Sequence, residues 1–116
     1  MRLLVIEDER DLCEDIAKKL RLSGYEADTC VDGEAALELL AVERYDLVLL
    51  GEIEQELTAP CFLRCHQSFL VNMNYVKAVD KDFILTNDDV VLIRKKNLKE
   101  LRQIYFDYRK QIHNRY

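Results

Sequence analysis

The chain has 116 residues, 49% of them hydrophobic, and a formal net charge of -5. That length suits one small domain that can bury a core with little to spare. No apolar run approaches a membrane span and no basic-then-apolar leader opens the sequence, so its four cysteines are expected to be free thiols in a reducing cytoplasm.

The charge is unevenly spread. Residues 1–50 hold 6 Lys+Arg against 13 Asp+Glu, residues 51–116 hold 11 against 9, and the stretch from Arg94 onward holds 8 against 2. An acidic half joined to a basic tail predicts two modules with different partners. A solvated charged helix is the plainer alternative.

Residues 3–6 form a short apolar run, suited to a strand buried on both faces. Glu7 and Asp8 follow at once. The four-residue spacing of Leu12, Ile16 and Leu20 predicts a helix over about 10–22, ended by Ser23 and Gly24. Residues 25–30 read as a second strand. Asp32 can cap a second helix whose buried face is Ala36, Leu37, Leu40 and Ala41. Residues 47–50 are an aliphatic third strand. This βαβαβ alternation predicts a parallel sheet with right-handed crossovers. Ligands of such sheets sit at the carboxyl ends of the strands, where Glu7 and Asp8 stand. Paired carboxylates there suit Mg²⁺, the alternative being that Asp8 merely caps the following helix.

Residues 62–72, F-L-R-C-H-Q-S-F-L-V-N, are the most informative segment. If helical, they would set Arg64 and Ser68 on one face and Phe62 and Phe69 on another. Arg64, His66, Gln67 and Ser68 all carry donors suited to phosphate oxygens or base edges. A helix over 53–57 precedes them. Afterwards come strands at 75–79, 83–85 and 90–93, with a hairpin turn at Asn87, Asp88 and Asp89. Arg94, Lys95 and Lys96 then lead into a helix to about Tyr108, with Leu98, Leu101, Ile104, Tyr105 and Tyr108 as its apolar stripe.

Cys61 and Cys65 beside His66 invite a zinc reading, but no second Cys/His pair completes four ligands, and buried thiols are the default. Ser68 near His66 lacks the context of a nucleophile, and no glycine-rich phosphate loop is present. No enzymatic activity is expected.

Three segments of the first half, M-R-L-L-V-I-E-D-E, G-Y-E-A-D-T-C-V-D-G-E-A-A-L and Y-D-L-V-L-L, resemble the first half of a response-regulator receiver domain. The resemblance makes Glu7 and Asp8 that family's acidic metal-binding pair. It also places Gly51 where a phosphate-accepting aspartate follows the third strand, so no phosphoacceptor is expected and Mg²⁺, the one implied cofactor, should bind weakly. Residues 52–110 resemble the C-terminal part of the LytTR family of DNA-binding domains, on the F-x-R-x-H-x-S-F-x-V-N pattern and the strands and basic turn after it. That resemblance implies that Gln67 and the basic turn reach duplex DNA, Lys96 being the best match to a reading arginine, with Arg94 and Lys95 left open by register. Arg64, His66, Ser68 and Asn72 fall to backbone positioning or helix support. A structural imidazole is the alternative for His66.

The expected fold class is therefore α/β: a βαβαβ half-receiver with a three-stranded parallel sheet in 1–50, then an α+β LytTR-like part with a β-hairpin and a C-terminal helix in 51–116. The chain would be a cytoplasmic, truncated or chimeric transcription regulator of the two-component type, its sensor kinase undetermined. An internal deletion or an engineered fusion near Leu50 and Gly51 would account for the join. With no fourth parallel strand, the edge at 47–50 predicts either self-association or a sheet shared by both halves. The rival reading is a protein-interaction or dimerisation module that binds no DNA.

Overall fold

The computed structural model describes residues 1–51, 61–66 and 68–114, without the side chains of His66, His113 and Asn114. The helix expected over 53–57 and Gln67 lie outside the described residues.

The aliphatic run of β1 (Arg2–Ile6) is buried as expected, with Leu4 and Ile6 fully enclosed. It pairs in parallel with β2 (Glu26–Cys30) on one side and β3 (Leu47–Leu50) on the other. Between them run α1 (Arg10–Leu22) and α2 (Gly33–Val42). Gly24 takes φ +95, the left-handed conformation that ends α1. Asp32 caps α2 by accepting from the Ala35 amide at 2.7 Å. The residue capping α1 is Glu9, which makes no side-chain cap bond, so Asp8 does not serve as the cap.

Each helix buries only part of the face expected: Ile16 and Leu20 of α1 and Ala36 and Leu40 of α2 pack against the core, but the centre of each contact is shifted. In α1 the small residues Cys13 and Ala17 are enclosed while Leu12 is 42% exposed. In α2 Ala36 is buried, with Ala35, Leu39 and Leu40 packed beside it, while Leu37 is exposed. The reason is the close approach of helix to sheet, which favours small side chains at the contact and swings leucines to its rim.

The join between the halves is a strand pairing. β4 (Phe62–His66) and β5 (Phe69–Asn72) form an antiparallel hairpin, and β5 runs antiparallel to β3 through Leu47↔Val71, Val48↔Leu70 and Leu49↔Phe69. The sheet order is β2-β1-β3-β5-β4. Thus the edge of β3 is closed by a sheet common to both halves. The helical reading of 62–72 is overturned as well: alternating burial of Leu70 and Val71 on the two faces of one sheet is strand behaviour.

After a 3-10 turn at Met73–Tyr75 comes a second antiparallel sheet, of β6 (Val76–Val79), β7 (Phe83–Leu85) and β8 (Val90–Val91). The turn before β8 is the expected one, with Asp88 at φ +73, a conformation aspartate tolerates. β8 is shorter than the four residues expected. Another 3-10 turn, Lys95–Asn97, opens α3 (Leu98–Asn114). Leu101 and Tyr105 of α3 are buried, Leu98 and Tyr108 pack against the core, and Ile104 is left 37% exposed. One core cluster joins Leu3 and Leu47 of the first half to Cys65, Val71, Phe83, Leu85, Ile93, Leu101 and Tyr105 of the second.

Candidate nucleic-acid interface

The basic turn is held on a rigid base. Ile93 is buried, Arg94 is extended and half-buried, and the Asn97 amide closes onto the Arg94 carbonyl at 2.9 Å. Lys95 and Lys96 are exposed on that turn. Three anchors fix α3 behind it. The Tyr105 hydroxyl donates to the Val76 carbonyl at 2.8 Å, Tyr108 to Asn74 Oδ1 at 2.5 Å, and Arg102 to the Asp80 carbonyl at 2.8 Å. A charged turn on an anchored helix can present its cations to phosphates with little backbone left to order at the moment of binding.

The second candidate segment is the β4–β5 hairpin. Arg64 is exposed on β4, and the ladder shifts register between Arg64 and His66, a local irregularity that re-aims side chains. Ser68 lies in the turn, where its carbonyl accepts from the Leu50 amide at 2.7 Å. Arg64 and Ser68 therefore do not share a helical face. The backbone of His66 ends β4. Cys65 and Phe69 of this hairpin pack in the same core cluster as Ile93 and Leu98 beside the basic turn, so one core carries both segments. Sequence reasoning did not single out Lys99, Arg109 and Lys110, which are exposed along α3; their charge run was the available signal.

Asn72 has a positioning role. Its side chain donates to the Tyr45 carbonyl at 2.8 Å and accepts from the Asn74 amide at 3.0 Å, while its own amide donates to the Asp46 carbonyl at 2.9 Å. It is buried. These bonds tie the end of β5 to the loop before β3.

At the other end of the parallel strands, Glu7 is buried and Asp8 is exposed, next to Gly51. The Glu7 carboxylate fills the space a side chain at 51 would take: a Cβ there would stand 1.6 Å from Glu7 Oε2. Burial pushes the Glu7 carboxyl above its usual range, offset in part by the Glu9 amide at 3.3 Å from Oε1. Among the described residues no three carboxylate, thiol or imidazole groups converge as metal ligands.

All four cysteines carry free thiols, Cys13, Cys30 and Cys65 being buried. Burial raises the Cys65 thiol to about 11, which leaves it protonated and unreactive. Among the described residues no helix is long and apolar enough to cross a membrane.

The relatives of this chain are transcriptional regulatory proteins and response regulators by name. It is 48% identical over 50 residues to the transcriptional regulatory protein DltR of Streptococcus agalactiae serotype III (strain NEM316), covering 43% of this chain and 22% of that protein. Transcriptional regulatory protein CutR of Streptomyces coelicolor is 46% identical over 50 residues, covering 43% and 23%. Response regulator MprA of Mycolicibacterium vanbaalenii is 38% identical over 50 residues, covering 43% and 22%. The chain thus matches about a fifth of the length of these relatives. A family profile matches residues 47–106, from the first residue of β3 into α3, and so begins earlier than the 52 expected from the motif alone. On that match, the chain belongs to the LytTr DNA-binding domain family.

Proposed function

We propose that this chain is a DNA-binding transcription regulator of the two-component type that cannot be switched at the usual phosphoacceptor position. The observation that carries the proposal is the family match over 47–106, which encloses an exposed lysine turn braced by α3. Lys95 and Lys96, with Arg94, supply charge for phosphates, and the Gln67 side-chain amide is of the kind that pairs bidentately with adenine. Arg64, His66 and Ser68 are assigned to positioning the DNA backbone, on the strength of their donors. Lysine makes a point contact where arginine would fork, so base discrimination at Lys96 is modest.

On this reading residues 1–50 are the front half of a receiver-like unit, and 51–116 a truncated LytTR-like unit. The division at Leu50 and Gly51 is one of ancestry, since the β3–β5 ladder crosses it. Gly51 has no side chain to take a phosphoryl group, so a sensor kinase would have no target there. Glu7 and Asp8 are a remnant acid pair with poor Mg²⁺ affinity. The protein acts in the cytoplasm, beside its DNA, and performs no catalysis.

The test is selection from randomised DNA duplexes with salt titrated, comparing the chain with Lys95→Ala/Lys96→Ala and with Gln67→Ala. The double lysine variant should bind every sequence more weakly and lower the salt slope by about 2. Gln67→Ala should relax sequence preference while leaving that slope unchanged. Binding that collapses with salt and enriches no sequence would sink the proposal and favour a protein-interaction module.

A further inference from the structure

We propose that the outer edge of β2 is a docking groove for an extended segment of a partner protein, one in which basic and apolar residues alternate and which adds to the sheet beside Thr29. The groove is built from residues between Arg10 and Val42, none of which the DNA-binding reading uses.

The backbone of β2 is the starting point. β2 ends its sheet and pairs only with β1. The Glu26 amide donates to the Met1 carbonyl at 3.2 Å, and the Cys30 carbonyl accepts from the Glu7 amide at 3.0 Å. Glu26, Asp28 and Cys30 therefore turn their backbone groups toward β1, and Ala27 and Thr29 turn theirs outward. The Arg21 guanidinium covers the Ala27 carbonyl, donating from Nε at 3.0 Å and from Nη2 at 2.6 Å. Among the described residues no group bonds the Thr29 amide or carbonyl. One donor and one acceptor side by side on an edge residue are what a residue of an added strand bonds.

The walls say what kind of segment fits. α1 packs on one face of the sheet, through Cys13 and Ala17 against Val5 and Ala27, and α2 on the other, through Ala36 against Leu4, Ile6 and Cys30. Between them, at the Thr29 end of β2, lies a cavity of about 740 Å³. Side chains of an added strand alternate between those two faces. On the α1 side the lining presents Glu14, which is exposed and accepts from the Thr29 hydroxyl at 3.2 Å. On the α2 side it is aliphatic, through Ala35, Leu39 and a Val42 that is 77% exposed, with the exposed Glu38 beside them. Two acids thus face one base, Arg10, on this lining. Basic residues turned toward α1 and apolar ones toward α2 match both walls, whereas an acidic segment would meet Glu14 and Glu38. A small organic cation would satisfy the carboxylates and leave the Thr29 backbone unused.

The experiment titrates the full chain with acetyl-LKLKL-amide and with acetyl-LELEL-amide by calorimetry, and follows hydrogen exchange of the Thr29 amide by NMR. The basic peptide should bind at least about tenfold more tightly than the acidic one. At saturation it should slow exchange at Thr29 by at least about tenfold, because that amide gains an acceptor. Glu14→Lys reverses the charge at an exposed site on α1 and should weaken the basic peptide at least about tenfold, with circular dichroism as the check on fold. Glu34→Lys, the same change at an exposed site on α2 outside the cavity, should weaken it no more than about twofold. No binding of the basic peptide, equal binding of the two peptides, or equal weakening by the two substitutions would overturn the proposal. So would unchanged exchange at Thr29 under saturating peptide, which would mark a cation held by carboxylates alone.

Discussion

The two regions of this molecule solve the same problem, a buried sheet, by opposite means. Residues 1–51 build parallel strands covered by α1 and α2, and carry the acidic surplus. The region from β4 onward builds antiparallel hairpins backed by one helix, and carries the basic tail. Parallel strands need crossovers and leave an aliphatic edge wherever the alternation stops. Antiparallel hairpins can turn back within a few residues and offer a strand to whatever edge lies beside them. The seam between β3 and β5 is where one region's unmet edge meets the other's spare strand. Neither region is complete by itself, and the core cluster running from Leu3 to Tyr105 is the packing expression of that dependence.

The sharpest way to break the comparison is to separate the regions. A chain ending after Leu50 would expose the β3 edge and lose Val71, Met73 and Tyr105 from the face over Leu3 and Leu47. The fragment is expected to lose cooperative folding altogether, seen as an absent urea transition or as aggregation in size-exclusion chromatography. A monomeric fragment with a sharp transition would show the parallel region to be self-sufficient. A subtler cut is Asn72→Ala. It deletes the side-chain bond to the Tyr45 carbonyl and leaves buried polar groups without their partners, at an expected cost of about 1–3 kcal/mol in urea unfolding. The fold should survive, because Val71 and Leu70 still hold the ladder.

How far this could be read in the sequence differs between the regions for a physical reason. The βαβαβ order, the Gly24 stop and the Asp32 cap follow from periodicity and capping, which are local. The buried faces of α1 and α2 followed only in part: Ala36 is enclosed and Ile16, Leu20 and Leu40 pack as expected, but close packing selected Cys13 and Ala17 over Leu12 and left Leu37 exposed. The segment 62–72 carries polar residues at spacings that fit a helix and apolar ones that fit a strand. Its pairing with β3, twenty residues upstream and invisible to any local rule, decided for strands. The exposed lysine turn was legible as a charge run opening a helix. The role of Asn72 as a tie to Tyr45 depends on a contact across the join.

The finest distinction between the two ends of the parallel sheet is in their response to pH. At the carboxyl ends, burial raises the Glu7 carboxyl, the Glu9 amide opposes the shift and Asp8 adds to it. The folded state then holds that proton more tightly than the unfolded chain. Its contribution to stability is complete below the ordinary glutamate value of about 4.3 and is lost as pH rises through the raised one. At the amino ends, Asp28 accepts from the Tyr45 hydroxyl at 2.6 Å and pairs with Arg2 at 2.8 Å, and these bonds hold it below its usual range despite partial burial. Its contribution is present above the ordinary aspartate value and is lost as pH falls through the lowered one. Glu7→Gln keeps an acceptor for the Glu9 amide and removes the ionisable proton. Urea midpoints measured from acid to neutral pH should coincide with wild type at the acid end and exceed it near neutrality. Asp28→Asn should do the reverse, falling below wild type near neutrality and converging with it in acid. If both variants shift the midpoint equally at every pH, the two carboxyls act through packing alone, and the contrast between the two ends of the sheet is one of shape.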